Sequence, residues 1–223
     1  MSVFSRLSRV SRARKLELFN RVMQPAEDVK LLDIGAEVAR DPGDKEQLID
    51  TYPWKENMTA GNISPEHVSS LKSQYPEIEA VVADACRLPW PDKHFDIVYS
   101  NAVIEHVGDF ERQKQMAAEI MRVGKRWFVT TPNRWYPFEF HMRLPFVTWL
   151  PFDGYLSVGS IVFYNHIKRK YTVGRRRDDL RLMTARELRK CFPGSRVVKQ
   201  RVTFMAETLI VVGGDIDTQA AQS

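Results

Sequence analysis

Polar side chains that could bind a ligand follow two neighbouring apolar stretches near the middle of the chain. Asp84, Ala85 and Cys86 end the first stretch, and Ser100 and Asn101 end the second. Buried strands that end in polar groups are typical of open α/β sheets, in which ligands bind just beyond the carboxyl ends of the strands. The sequence therefore predicts a ligand site built from the ends of these two strands.

The order of residues across this region resembles class I S-adenosylmethionine-dependent methyltransferases of the methyltransferase type 11 group. The segment that carries the resemblance is ADACRLPWPDKHFDIVYSNAVIEHV, which in that family surrounds the adenine. The resemblance implies S-adenosyl-L-methionine as cofactor, with Asp84 accepting a hydrogen bond from the adenine amino group. It also implies that Ala85 and Cys86 line the ring, and that Ser100 and Asn101 pass beneath the methionine group.

A second segment, LLDIGAEVA, matches the family less closely. Asp33 and Gly35 stand where the family has an acidic residue and a glycine-rich turn, and Ala36 and Glu37 continue that turn. Glycines let the backbone approach a cofactor, and amide groups at the start of a helix can meet its carboxylate. Glu37 and Ala39 replace the later glycines of the family, so this motif alone is a weak signal.

The end of the second predicted strand departs from the family as well. Asn62 stands where the family has an acidic residue that accepts hydrogen bonds from both ribose hydroxyls, and Ile63 would pack on the adenine. An amide oxygen accepts a hydrogen bond, but it lacks the charge that roughly doubles the strength of the bond. Reduced cofactor affinity is one interpretation, and a shift of the register by a residue or two is the other.

The candidate catalytic residues come from the loops after the fourth and fifth strands. Transfer of a methyl group to a hydroxyl needs a base, and His106 follows the fourth strand while Glu139 and His141 follow the fifth. The alternatives are a helix residue that caps a carbonyl for His106, and a surface loop with buried rings for Glu139 and His141. We expect O-methylation of a small-molecule, glycan or lipid-linked acceptor. A non-catalytic methyltransferase-fold binding protein that has lost the cofactor is the alternative.

Strands and helices alternate along the chain in an order that favours an α/β fold. The prediction is a doubly wound, mostly parallel seven-stranded sheet, Rossmann-like, with a C-terminal β-hairpin and an inserted cap after strand five. One domain would span 1–223, with an N-terminal amphipathic helix over 1–22 and one helix over 102–123. Residues 133–180 would form an aromatic and basic cap and 214–223 a flexible tail. The family resemblance covers about 29–132, and more loosely 184–212.

Charge and aromatic residues are concentrated in the predicted cap and its flank. The net charge is +5, yet residues 168–201 hold 13 Lys or Arg and three carboxylates, and residues 133–165 hold ten of the 24 aromatic residues. A basic face indicates an anionic partner, here a lipid-linked or phosphorylated acceptor, with a solvated surface as the alternative. Without a recognisable nucleic-acid-binding module, nucleic acid is not the expected partner. No oligomeric state follows from the sequence.

The run 142–152 is apolar, with basic residues downstream. This combination suits a peripheral membrane contact, so a membrane-surface interaction protein is a third interpretation; a hydrophobic lid buried in the fold is the simpler one. Neither a secretory signal nor an apolar run of about 20 residues is present. We therefore expect a cytoplasmic protein, with peripheral membrane contact left open.

Overall fold

The computed structural model describes residues 3–39, 47–139, 144–151, 154, 157–158, 162–165, 170–173 and 180–216. Side chains are described from residue 9 onward, apart from those of 162–165 and 170–173. His141 and the end of the predicted tail lie outside these residues. The strands are β1 Leu31–Ile34, β2 Met58–Asn62, β3 Glu79–Val82, β4 Phe95–Asn101, β5 Gly124–Pro132, β6 Phe138–Glu139, β7 Leu144–Pro145, β8 Val162–Asn165, β9 Lys170–Val173, β10 Arg196–Arg201 and β11 Ala206–Gly214.

A seven-stranded sheet has the order β3-β2-β1-β4-β5-β11-β10. Strands β1 to β5 run parallel, whereas β11 is antiparallel to both β5 and β10, so the C-terminal hairpin is as predicted. The pairs β6–β7 and β8–β9 form two separate antiparallel ribbons after β5. Because the chain runs outward from β1 to β3 and then returns to β4 on the other side of β1, the order reverses between β1 and β4. Ligands of open α/β sheets bind at such a reversal.

Helices cover both faces of the sheet. They are α1 Val3–Met23, α2 Leu48–Thr51, α3 Pro65–Gln74, α4 Phe110–Val123 and α5 Ala185–Cys191. Leu31 packs with residues of α1 and α3, whereas Leu32 packs with residues of α4 and α5, because successive side chains of a strand point to opposite faces. Helix α1 lies on the sheet face, where the ring of Phe19 meets those of Tyr99 and Phe128 edge-on at 5.3 and 5.5 Å.

The single helix predicted over 102–123 is wrong in its first part. A short 3₁₀ turn spans Ile104–His106, and Gly108 has a φ of +114° that an α-helix cannot continue through. The side chain of Asp109 then accepts a hydrogen bond from the backbone of Arg112 and caps α4. The apolar periodicity across this region had masked the break.

Candidate functional site

The loop after β1 makes a close approach to the loop after β4. Gly35 has a φ of +82°, and its N–H donates to the Gly61 carbonyl at 2.7 Å. A Cβ at this position would lie 2.3 Å from Cγ2 of Val103. Only glycine fits here, because both the backbone conformation and the space exclude a side chain. The turn therefore lets Val103 of the loop after β4 pack directly against the backbone of the loop after β1.

Asp33 precedes this turn and is buried in the sheet. Burial raises the pKa of its carboxyl from 3.8 to about 8, since water no longer stabilises the charged form. The neighbouring Tyr99 hydroxyl also has a raised pKa, first through its own burial and then through Asp33. Asp33 is thus largely protonated at neutral pH, and its predicted role in cofactor binding stays a prediction.

Asp84 lies in a turn after β3 and is held in place by two donors. Its Oδ1 accepts from the backbone N–H of Cys86 at 2.8 Å, and Nη2 of Arg112 on α4 donates to Oδ1 and Oδ2 at 3.3 and 3.0 Å. These bonds, that of Cys86 first, lower the pKa of Asp84. Arg112 is fixed in turn because its Nε donates to the Val107 carbonyl at 3.0 Å. Asp84 is therefore an ionised, oriented acceptor; sequence reasoning missed Arg112, which the fold brings across from α4.

The end of β2 is tied to the loop after β1. Nδ2 of Asn62 donates to the Ala36 carbonyl at 2.8 Å, and Oδ1 accepts from the Ser64 backbone N–H at 2.9 Å. Ile63 follows with 68% of its surface exposed. An exposed branched side chain beside an oriented acceptor presents an apolar face on which a planar ring can pack. The register predicted for Asn62 and Ile63 agrees with this placement.

The end of β4 meets helix α1. Oδ1 of Asn101 accepts from Nζ of Lys15 and from Oγ1 of Thr130, each at 2.7 Å. Burial lowers the pKa of Lys15 to about 8, and Arg12 lowers it further while Glu105 and Glu207 oppose the shift. Next to Asn101, the Ser100 hydroxyl is buried and donates to the Ile34 carbonyl at 3.4 Å. The basic residues of α1 gave no sign in the sequence that one of them reaches this strand end.

The candidate bases occupy different environments. His106 ends the 3₁₀ turn after β4 and is partly buried, while the adjacent Glu105 is fully buried and accepts from the Thr131 hydroxyl at 2.9 Å. Glu139 is buried on β6. His141 lies outside the described residues. His106 was predicted as the base because imidazole takes up a proton near neutral pH. The structure adds Glu105, a buried carboxylate beside the end of β5.

Residues 43–127 match the family model for methyltransferase domains, a stretch that includes β2 to β4 and the Asp84 turn. A probable S-adenosylmethionine-dependent methyltransferase of Mycobacterium tuberculosis is 37% identical over 67 residues, and one of Mycolicibacterium smegmatis is 31% identical over 67 residues. Residues 43–127 are thus similar to methyltransferase domains, in agreement with the resemblance found in the sequence. The matched stretch spans 30% of the chain and about a quarter of the length of these relatives, 24% and 26% respectively.

Solved structures are similar to this chain in fold. The PH0226 protein from Pyrococcus horikoshii has a TM-score of 0.59 at 18% identity, covering 91% of this chain and 88% of that one. The [4+2]-cyclase SpnF has a TM-score of 0.53 at 17% identity, covering 84% of this chain and 58% of that one. The fold predicted from the sequence is thereby confirmed. Within the described residues, no helix is both long and apolar enough to cross a membrane.

Proposed function

We propose that the protein is an S-adenosylmethionine-dependent methyltransferase whose cofactor lies across the carboxyl ends of β1 to β4. The observation that supports the proposal is the ionised carboxylate of Asp84, which Cys86 and Arg112 hold in place and which can accept a hydrogen bond from a ligand amino group. The exposed side chain of Ile63 offers a face for the ring, and the loop at Gly35 contributes backbone at the carboxyl end of β1. These residues fit the adenosyl group and the start of the methionine chain.

The bound cofactor supplies an activated methyl group on a sulfonium. The residues of the chain then have to align the acceptor with that methyl and keep water out, which is where much of the rate enhancement of such displacements arises. For the O-methylation that we propose, His106 is the candidate base, since imidazole takes up a proton near neutral pH. Glu139, buried on β6, is the second candidate, and His141 completes the set from the sequence.

We also propose that the acceptor is anionic or lipid-linked and that the protein reaches it from the cytoplasm at a membrane surface. The supporting feature is an aromatic patch, defined as Trp135, Phe146 and Trp149. Phe146 and Trp149 are 56% and 49% exposed with ring centroids 4.9 Å apart, and Nε1 of Trp149 donates to the Trp135 carbonyl at 3.2 Å. Arg134 lies over the ring of Trp135, with its guanidinium 6.0 Å from the ring centroid. Aromatic side chains with a neighbouring cation are favoured at membrane interfaces.

Flotation with vesicles that contain an anionic lipid tests this membrane proposal. The wild-type protein is expected to float with the vesicles at low salt, and Phe146→Ser/Trp149→Ser is expected to lose most of that binding. Phe204→Ser is the matched control, because Phe204 is 77% exposed and lies outside the patch. Wild-type protein that stays at the bottom of the gradient, or equal losses in both variants, would remove the membrane proposal.

Calorimetric titration with S-adenosylmethionine and S-adenosylhomocysteine tests the cofactor proposal. Asp84→Ala is expected to weaken both affinities at least tenfold, because it removes a charge-assisted hydrogen bond. Asp92→Ala is the control, since Asp92 lies on the same connection between β3 and β4 as Asp84. Its carboxylate is exposed and pairs with Arg122 of α4. Absence of binding to the wild type at millimolar ligand would favour the non-catalytic alternative. The [4+2]-cyclase has a related fold, so the fold alone does not decide the reaction.

A further inference from the structure

The amide of Asn62 cannot do what a carboxylate does at the ribose edge of the site. Its Nδ2 is engaged by the Ala36 carbonyl and its Oδ1 by the Ser64 N–H, so both ends of the group hold backbone. One lone pair remains on Oδ1, whereas a carboxylate has two oxygens that can accept from two hydroxyls at once. Asn62 therefore joins the loop after β1 to the start of α3 and leaves the ribose hydroxyls without a charged acceptor at that strand end.

Glu37 carries a carboxylate along the same edge. It follows Ala36 directly, and its Oε2 lies 3.8 Å from Nδ1 of His67 in the first turn of α3. Glu37 and His67 are both partly exposed, so the carboxylate spans the opening between the loop after β1 and α3. At 3.8 Å the attraction to His67 is not a hydrogen bond, which leaves the oxygen lone pairs for a ligand.

A neighbouring carboxylate, that of Glu66 in the first turn of α3, is engaged elsewhere. Oε2 of Glu66 accepts from the Ser64 hydroxyl at 2.6 Å, and this bond, followed by one from its own backbone N–H, lowers the pKa of Glu66. Asp33 on β1 is buried and largely protonated at neutral pH. Among the described residues of this edge, Glu37 is thus the carboxylate that remains available.

We propose that Glu37 binds the ribose hydroxyls of the adenosyl cofactor and so supplies, from the loop after β1, the carboxylate that is absent from the end of β2. Two departures from the family pattern then have one cause. A carboxylate stands where a glycine is usual, and an amide stands where the carboxylate is usual. This assignment rests on the proposed cofactor, and it makes Glu37 the residue that recognises the two ribose hydroxyls.

The test compares two proteins and two ligands by calorimetry, so that removal of the side chain and removal of the ligand hydroxyl can be combined in a thermodynamic cycle. Wild type and Glu37→Gln are each titrated with S-adenosylhomocysteine and with its 2′-deoxy analogue. Loss of a hydrogen bond to a charged group corresponds to a decrease in affinity of about 10- to 100-fold. Glu37→Gln is expected to show that loss for S-adenosylhomocysteine and a much smaller one for the analogue, because the analogue lacks a hydroxyl that Glu37 binds.

Glu66→Gln serves as the control and is expected to bind S-adenosylhomocysteine as the wild type does. Thermal denaturation of Glu37→Gln checks that the variant is folded. Equal affinity of wild type and Glu37→Gln, or the same loss for both ligands, overturns the assignment of Glu37 while wild-type binding upholds the cofactor proposal. A wild type that binds neither ligand overturns both.

Discussion

Replacing Gly35 with alanine tests how tightly the loops after β1 and β4 are packed. Two independent costs are expected. A φ of +82° in a residue with a Cβ costs about 1–2 kcal/mol, and overpacking against Val103 at 2.3 Å costs about 1–3 kcal/mol. The reduced entropy of the unfolded chain offsets up to about 1 kcal/mol. We therefore expect Gly35→Ala to lower the free energy of unfolding by about 1–5 kcal/mol.

Two further variants separate the costs. Gly194 has a φ of +78°, and a Cβ added there would meet no atom within 4 Å, so Gly194→Ala measures the backbone cost alone. Removing both Cγ atoms of Val103 in Gly35→Ala/Val103→Ala relieves the clash, since the remaining Cβ lies 3.4 Å away. The double variant is therefore expected to lose less stability than the sum of the two single variants.

Urea denaturation followed by circular dichroism gives the free energies of unfolding. Titration of the same variants with S-adenosylhomocysteine reports on the site, and Gly35→Ala is expected to bind more weakly because the turn lines the crevice. If Gly35→Ala costs no more than Gly194→Ala, or if truncating Val103 gives no relief, the close approach of the two loops is refuted.

The shifted pKa values of Asp33 and Lys15 lead to two predictions of how stability depends on pH. The pKa of Asp33 is higher in the folded than in the unfolded state, so the wild type should lose stability as pH rises from about 4 to 8. The loss is roughly 4 kcal/mol at pH 7. Urea denaturation at pH 5 and 8 should show this dependence in the wild type and not in Asp33→Asn. If the free energy of unfolding of Asp33→Asn depends on pH as that of the wild type does, a group other than Asp33 is responsible. The pKa of Lys15 is lower in the folded than in the unfolded state, so stability should rise by about 3 kcal/mol between pH 8 and 10.5. That gain in stability should be missing in Lys15→Met. If the gain persists in this variant, the pKa of Lys15 is not lowered in the folded state.

The sheet could be predicted from the sequence because its strands are short apolar runs that end in polar residues. The segment from Asp84 to Asn101 also carried the family resemblance. β4 ends at Asn101 as predicted, whereas the strand predicted to end at Asp84 ends at Val82, and Asp84 lies in the turn that follows. Such local patterns report which residues are buried in a strand. They predict the order of elements well and the exact start of a helix poorly, as the break at Gly108 shows.

Contacts between distant elements could not be predicted in this way. Lys15 reaches Asn101 only because α1 lies across β4, and Arg112 reaches Asp84 only because Asp109 starts α4 at the right turn. Both cations read as ordinary surface residues in the sequence. The hydrogen bond from the Asn62 amide to the Ala36 carbonyl likewise joins two loops that are 26 residues apart in the chain and meet at the carboxyl end of the sheet.

The most direct test of the central claim is a crystal structure of the protein with S-adenosylhomocysteine bound. We expect the adenine amino group to lie within hydrogen-bond distance of the Asp84 carboxylate. The adenine ring should pack against Ile63, and the ribose hydroxyls should bind Glu37. A ligand that lies away from the carboxyl ends of β1 to β4, or that makes no contact with Asp84, would contradict this claim.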